Sequence, residues 1–435
     1  MATFYIDGES ATNGAGTYAD PYNVTPTISS NNTYLYAAGR TLNGGASTAI
    51  SVTAGATGVT IGAYDPATGN RLHGGATKAY ITGTAQFTVR VNTNAHTCTI
   101  EMLDVTNTGG AASAHGIYIG NSSSLVANSC TVRRCVVHDI NGTSTTNGIA
   151  FRGSDFSAYE NTIYGIPVDG IFGYGPRARI YRNTIYDVDQ QDSTGDCIQI
   201  AGDATLGCSD CYIAENNLTN PNGNKQNIIV QDTTGGSTGG VIKGNTCVIE
   251  AGAANQAIYA ETVGMKIEGN RITGGYYGIY CAGNDSVVRS NFIESVGYSG
   301  ITQKTGTTGM DALNNTIVGA PTYGIYCGDD TTAVAKNNML YNCGTGLAKH
   351  GSATEDYNAF WLCVTNKANV AGTPAYGLNT ITADPLLSAT YRPMQGSPLL
   401  SAGTFISYTS RDINGTQRPK PPSIGAYDVA TLIET

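Results

Sequence analysis

The chain has 435 residues, and with 13% charged and 40% hydrophobic residues it lacks the high charge and low hydrophobicity of a disordered protein. Its 23 Lys and Arg against 32 Asp and Glu leave a net charge of −9, the wrong sign for displacing counterions from a nucleic acid. No apolar run approaches the roughly 18 residues that a membrane-spanning helix needs, so no membrane insertion is expected.

The start, Met1-Ala2-Thr3-Phe4-Tyr5, has neither a basic stretch nor an apolar core, so no secretory signal is expected here. A trimmed signal, or release by lysis as for a virus particle, would both leave such a start. Phe4-Tyr5-Ile6 reads as an opening strand, followed by turn chemistry at Asn13-Gly14 and Asp20-Pro21-Tyr22. Residues 1–50 are expected to cap the first coil of a repeating structure. Gly58-Val59-Thr60-Ile61 and Ala79-Tyr80-Ile81 then read as short strands.

From about residue 115 the chain repeats itself, the signal to seek before any other. A small or polar residue followed by Ile recurs at Gly116-Ile117, Gly148-Ile149, Gly170-Ile171, Cys197-Ile198, Asn227-Ile228, Ala257-Ile258, Gly278-Ile279, Gly300-Ile301 and Gly324-Ile325, and closes at Gly346-Leu347. Out of phase with it runs Asn-x-apolar, starting at Asn161, Asn183, Asn216, Asn245, Asn270, Asn291, Asn315 and Asn337. Each segment is a short β-branched run bounded by Gly, Asn, Asp or Ser, without a long helical period. Coils of about 22 residues with two or three strands would stack at the strand spacing of about 4.8 Å. The asparagines would then form an internal ladder and the isoleucines a core column. Of the eleven cysteines most sit in apolar runs and read as core thiols. Cys208 and Cys211 form a C-x-x-C that could close a local disulfide, and the five histidines show no metal spacing.

Loops are longer than in the other coils between residues 185 and 247, which predicts a groove between two raised lips. Two residues before each Ile runs a second column: His115, Asn147, Asp169, Asp196, Gln226, Gln256. Asp169 and Asp196 fall on adjacent coils, and Asp189 and Asp192 lie in the loop between them. Like charges one coil apart push pKa values apart, which supplies an acid and a base for cleaving a glycosidic bond. The alternative for each Asp is a cap on the turn before its strand. Loop carboxylates could also bind calcium, although no cofactor is expected. Gln199, Gln226, Tyr259, Arg152 and Arg177 are the candidate substrate-binding residues. A lyase would need a base beside a uronate, and Arg152, Arg177, Arg179, Arg182 and Lys225 lie near these coils. The tyrosines flanking the Ile positions are sugar-stacking platforms or subunit contacts.

The words Phe4–Gly8, Asn13-Gly14, Asp20-Pro21-Tyr22 and Gly58–Tyr64, with Asp384-Pro385-Leu386, Gly396-Ser397-Pro398 and Ile424-Gly425-Ala426-Tyr427 near the other end, resemble bacterial and phage pectate-lyase-like proteins. Val168-Asp169-Gly170-Ile171 and Gly195-Asp196-Cys197-Ile198 resemble two motifs of polygalacturonase-like hydrolases. Where that family carries two adjacent Asp in the second motif, this chain has Gly195-Asp196, and the family's downstream Gly-His-Gly and Arg-x-Lys motifs are missing. The resemblance implies an all-β, single-stranded right-handed parallel β-helix with capping segments: a cap over 1–50, coils over 51–351, and a closing segment over 352–435. It also implies a tail-spike-like homotrimer in a virion or outside the cell, binding and cleaving a bacterial polysaccharide. Asp169, Asp196, Asp192 and Asp189 would be its catalytic carboxylates. The alternatives are a non-catalytic spacer or adhesin and a secreted lyase or epimerase.

Overall fold

Each coil is made by one recurring backbone device. In the computed structural model the strand Ser157–Tyr159 ends in Glu160 at φ 56°, and the chain turns there into Asn161 and the strand Thr162–Tyr164. The same left-handed corner holds Arg182 (φ 56°), Ser290 (φ 54°), Asn314 (φ 53°) and Asn337 (φ 59°). For a side chain other than Gly or Asn this conformation costs about 1–2 kcal/mol. The asparagine after the corner offsets that cost. Asn183 Oδ1 accepts the Asn161 backbone N–H at 3.1 Å and its side-chain N–H at 2.9 Å, while Asn161 Nδ2 also donates to the Val132 carbonyl at 3.0 Å. Buried polar groups that would otherwise be orphaned are thereby paired from coil to coil.

The described residues are 1–120, 126–188, 195–220, 225–249, 255–328, 330–373 and 375–428. Among them every regular element is a strand, in three parallel sheets of 14, 13 and 13 strands. The fold is the right-handed parallel β-helix expected from the repeat. Each coil visits sheet I, then sheet II after the asparagine corner, then sheet III, which carries the isoleucine positions. The chain divides into two compact units, Met1–Asn222 with Asp232–Gly235, and Gly223–Gln231 with Gly236–Thr435.

In the first unit the strand Thr3–Ile6 pairs in register with Thr33–Ala37, which pairs with Thr60–Tyr64. The residues before position 50 therefore contribute strands to the sheets. The core column of sheet III reads Val89, Ile117, Ile149, Ile171, Ile198, all fully buried. The ladder runs from Asn161 through Asn183 to Asn216, and Cys135 takes the asparagine's place one coil earlier, donating its backbone N–H to Asn161 Oδ1.

In the second unit Ile258, Ile279, Ile301, Ile325 and Leu347 are successive register partners. The glycine before the Ile is a packing requirement. A Cβ on Gly300 would lie 2.5 Å from Ile317 Cγ2 and 2.7 Å from the Gly324 carbonyl oxygen. The ladder links Asn245, Asn270, Asn291, Asn315, Asn338 and Asn358. Asn337 is not a member of it, contrary to the sequence reading. Ile317 pairs with Leu340, which puts Asn338 in the ladder and Asn337 at the left-handed corner. From there Asn337 accepts the Thr404 N–H at 2.9 Å and donates to its carbonyl at 2.8 Å. The last strand is Thr365–Ala371. Beyond it the chain returns along sheet II: Leu399 and Ile424 pack on Met339 and Ala359, and Ala426 and Tyr427 on Phe292 and Val318. The buried Arg418 fastens this segment, bonding Asp428 at 3.3 Å and the Gly425 and Ala426 carbonyls at 3.0 Å each. All eleven cysteines are free thiols, so Cys208 and Cys211 form no disulfide.

Candidate active site

Sheet III of the first unit points alternate side chains away from the core. Two residues before the core position stand Phe87, His115 and Asn147. One residue after it stand Arg90, Tyr118, Ala150, Phe172 and Gln199, each the register partner of the next. Ala150 has only a methyl group between the rings of Tyr118 and Phe172. A cleft of about 560 Å³ opens over it, bordered by Arg90, His115, Tyr118, Arg152, Phe172 and Asp203 among others.

The polar groups here are held by aromatic rings. His115 lies parallel to Phe87, with centroids 5.6 Å apart and planes at 7°, and 4.9 Å from Tyr118. It is 6% exposed, and its Nδ1 has no hydrogen-bond partner among the described residues. Burial pushes its pKa down to about 4, so the ring is neutral at pH 7. Arg90 places its guanidinium 4.7 Å from the Phe87 centroid, and Arg152 places its own 4.8 Å from Tyr174. Arg152 Nη2 bonds Asp203 Oδ2 at 2.5 Å. Burial would raise the Asp203 carboxyl, but the Leu206 N–H, Arg152 and the Thr205 N–H together hold it below its ordinary value. Nε of Arg90 and Nε of Arg152 are buried without a hydrogen-bond partner among the described residues. Burial raises the Tyr118 phenol despite the opposing pull of Arg90 and Arg152, which keeps it protonated.

The carboxylates singled out by the repeat lie next along the column of His115 and Asn147. The Gly148 N–H donates to the Asp169 carbonyl and the Gly170 N–H to that of Asp196, so the two stand on adjacent coils as the register requires. They are 4% and 3% exposed, and neither borders the cleft. Asp169 Oδ1 accepts the Asp196 backbone N–H at 2.8 Å. With the Asn147 amide turned to donate, its nitrogen is 3.1 Å from Asp169 Oδ2. The Asp169 carboxylate thus ties its coil to the coils on either side. Asp189 and Asp192 fall outside the described residues, as do parts of two of the loops expected to form the groove, 185–198 and 218–228, while those over 198–218 and 228–247 are described throughout. Of the candidate binding residues, Arg152 is in the cleft and Gln199 adjoins Phe172 in its column. Arg177 is not among the cleft-bordering residues; it forms an exposed ion pair with Asp155 at 2.6 Å. Gln226 and Tyr259 belong to the second unit, where Gln226 bonds Gln256 and Tyr259 stacks on Tyr280. Among the described residues no three His, Cys, Asp or Glu converge as a metal site requires.

Sequence reasoning passed over His115 and Arg90. His115 heads the very column that drew attention to Asp169 and Asp196, so its register was legible. Its aromatic surroundings were not, because Phe87 sits 28 residues earlier in a coil that lacks the Gly-Ile phrase.

The family model for the right handed beta helix region matches residues 233–379. No curated protein sequence matches the chain. Among solved structures, a PL6 alginate lyase in complex with a trisaccharide superposes with TM-score 0.55 at 16% identity, covering 85% of each chain. The PL6 alginate lyase AlyGC gives 0.54 at 12% identity over 92% of this chain, which spans 56% of that enzyme's length. XylC, solved with xylose, gives 0.52 at 10% identity over 98% of both chains. These likenesses bear on the fold alone, a right-handed parallel β-helix.

The buried neutral imidazole has a consequence for stability. Between pH 6.5, the ordinary value, and about 4 the unfolded chain binds a proton that the folded chain does not. Stability should therefore fall as pH drops through this window, by up to about 3 kcal/mol for this group. Urea midpoints at pH 7 and pH 4 should differ less in His115→Gln than in the parent. An equal difference in both would show that His115 is not the group responsible.

Proposed function

We propose that the chain binds and cleaves an acidic polysaccharide in the cleft over Ala150. The observation that carries this reading is the pairing of two guanidiniums with a neutral histidine around a slot between two aromatic rings. A pyranose ring fits against the faces of Tyr118 and Phe172, and a carboxylate on it would meet Arg90 and Arg152. That arrangement suits elimination. The carboxylate, neutralised by the arginines, acidifies the adjacent carbon's proton. The neutral His115 accepts that proton, and the released pair forms a carbon–carbon double bond as the neighbouring carbon–oxygen bond breaks. The Tyr118 phenol protonates the departing oxygen, leaving one unsaturated end and one new reducing end.

The test is incubation with polygalacturonate, alginate and bacterial capsular preparations, reading ultraviolet absorbance from unsaturated ends alongside reducing ends. Both should rise together on an acidic polymer. Reducing ends without unsaturation would favour hydrolysis. That second reading rests on the stacking of Asp169 and Asp196, and under it Asp169→Asn should cost about 10²–10⁴-fold in rate. Under elimination the same change should leave most of the rate intact.

The proposal includes the setting drawn from the resemblance: a tail-spike-like homotrimer of a virion or of the extracellular space. Light scattering on the purified chain should return the mass of three copies. A monomeric mass at micromolar concentration would remove the trimer from the proposal.

A further inference from the structure

The second unit carries the same column motif in uncharged form. One residue after the core position of sheet III stand Tyr259, Tyr280, Thr302 and Tyr326, each the register partner of the next. Tyr259 and Tyr280 stack at 5.7 Å with planes 6° apart. At Thr302 the run of rings is interrupted. Tyr280 and Tyr326 are then two strand spacings apart, about 9.6 Å, so a ring set midway would lie about 4.8 Å from each. The neighbouring column could have offered the same opening at Ser299, between Tyr277 and Tyr323, but Tyr298 fills it, with centroids 5.5 Å and 5.9 Å from those two. The walls of the Thr302 slot are braced from that side: Tyr280 lies 5.1 Å from Tyr277, and Tyr326 lies 5.0 Å from Tyr323. A cleft of about 200 Å³ is present here, and none of the residues bordering it is charged. Gln303, 1% exposed and on the cleft border, gives its amide nitrogen to the Thr307 carbonyl and Asp330, while its Oε1 is without a hydrogen-bond partner among the described residues.

We infer that this slot is a binding site for a neutral sugar ring, held between Tyr280 and Tyr326 over Thr302. The walls offer two flat π faces to the axial C–H bonds of a pyranose, the phenols offer partners for its hydroxyls, and no cation borders the slot to reward a carboxylate. The inference is independent of the cleavage reading for the first unit, whose cleft is cationic. It assigns the second unit a grip on uncharged residues of a glycan, without chemistry.

The experiment is saturation-transfer NMR and calorimetry on the full chain with cellohexaose, maltohexaose and xylohexaose, and with an oligogalacturonate as the acidic comparison. At least one neutral hexasaccharide should bind, with saturation strongest on ring C–H protons. Tyr280→Ala and Tyr326→Ala should each weaken it by about tenfold. Thr302→Tyr keeps both walls and fills the slot. Tyr259, Tyr280 and Tyr326 occupy the same column in other coils, so this variant should fold with a far-ultraviolet spectrum and melting profile like the parent's and lose the binding. His115→Gln should leave binding here unchanged. No binding of any neutral hexasaccharide at millimolar concentration would overturn the inference. So would binding that survives Thr302→Tyr, or that is lost in His115→Gln.

Discussion

His115→Gln is expected to lower the rate of polysaccharide cleavage by about 10²–10⁴-fold, the usual worth of a positioned base. Glutamine preserves a polar planar group of similar reach against Phe87 and Tyr118 and cannot accept the proton. The loss should therefore fall on kcat, with KM moved little. Arg152→Gln should behave differently. It removes charge that a bound carboxylate feels before and during reaction, so KM should rise as well, and it leaves the Asp203 carboxylate without its 2.5 Å partner. Initial rates over a range of acidic polymer concentrations separate the two. A His115→Gln protein with parental kcat would take the imidazole out of the chemistry and return attention to Asp169 and Asp196.

The largest stability effect is expected from the ladder. Asn291→Ala removes the acceptor of the Asn270 backbone N–H at 2.9 Å and of its side chain at 3.0 Å. It also removes the donor to the Ile267 carbonyl at 2.9 Å. All of these groups are buried, and an orphaned buried polar group costs about 1–3 kcal/mol, so the sum should be about 3–5 kcal/mol. Urea unfolding and hydrogen exchange should show the loss, with exchange accelerated at Asn270 and its neighbours. Asn337→Ala should act elsewhere. The ladder bonds of Asn338 survive it, and the losses are the two bonds to Thr404, a longer one to Asn314 Oδ1 at 3.4 Å, and a corner whose left-handed φ asparagine tolerates better than alanine. Exchange should then rise around Thr404 rather than in the coils.

That pair of asparagines marks where one-dimensional reading gives out. Asn337 and Asn338 are adjacent, and either completes an Asn-x-apolar phrase, with Met339 or with Leu340. Spacing along the chain cannot choose between them, because the corner before the ladder takes one residue whose identity varies from Glu160 to Ser290 to Asn314. The choice is made across coils, where Leu340 lies beside Ile317 and Phe360.

By itself the sequence determined the coil. Gly before Ile is required where the next coil's backbone approaches within reach of a Cβ, and Asn after the corner is required where buried N–H groups need an acceptor. Both demands recur at most turns of this solenoid, with Cys197, Asn227 and Ala257 in place of the glycine and Cys135 in place of the asparagine at others, so they are written as periods that can be read without a structure. The tertiary structure alone supplied the surroundings of each candidate side chain. Whether a carboxylate in a repeating column serves as a reagent or ties coils together depends on what surrounds it, and around Asp169 stand the Asp196 N–H and the Asn147 amide among others. Whether a histidine is charged depends on what buries it, and for His115 that includes Phe87, one coil away. A site is made of differences between coils, and no period records them.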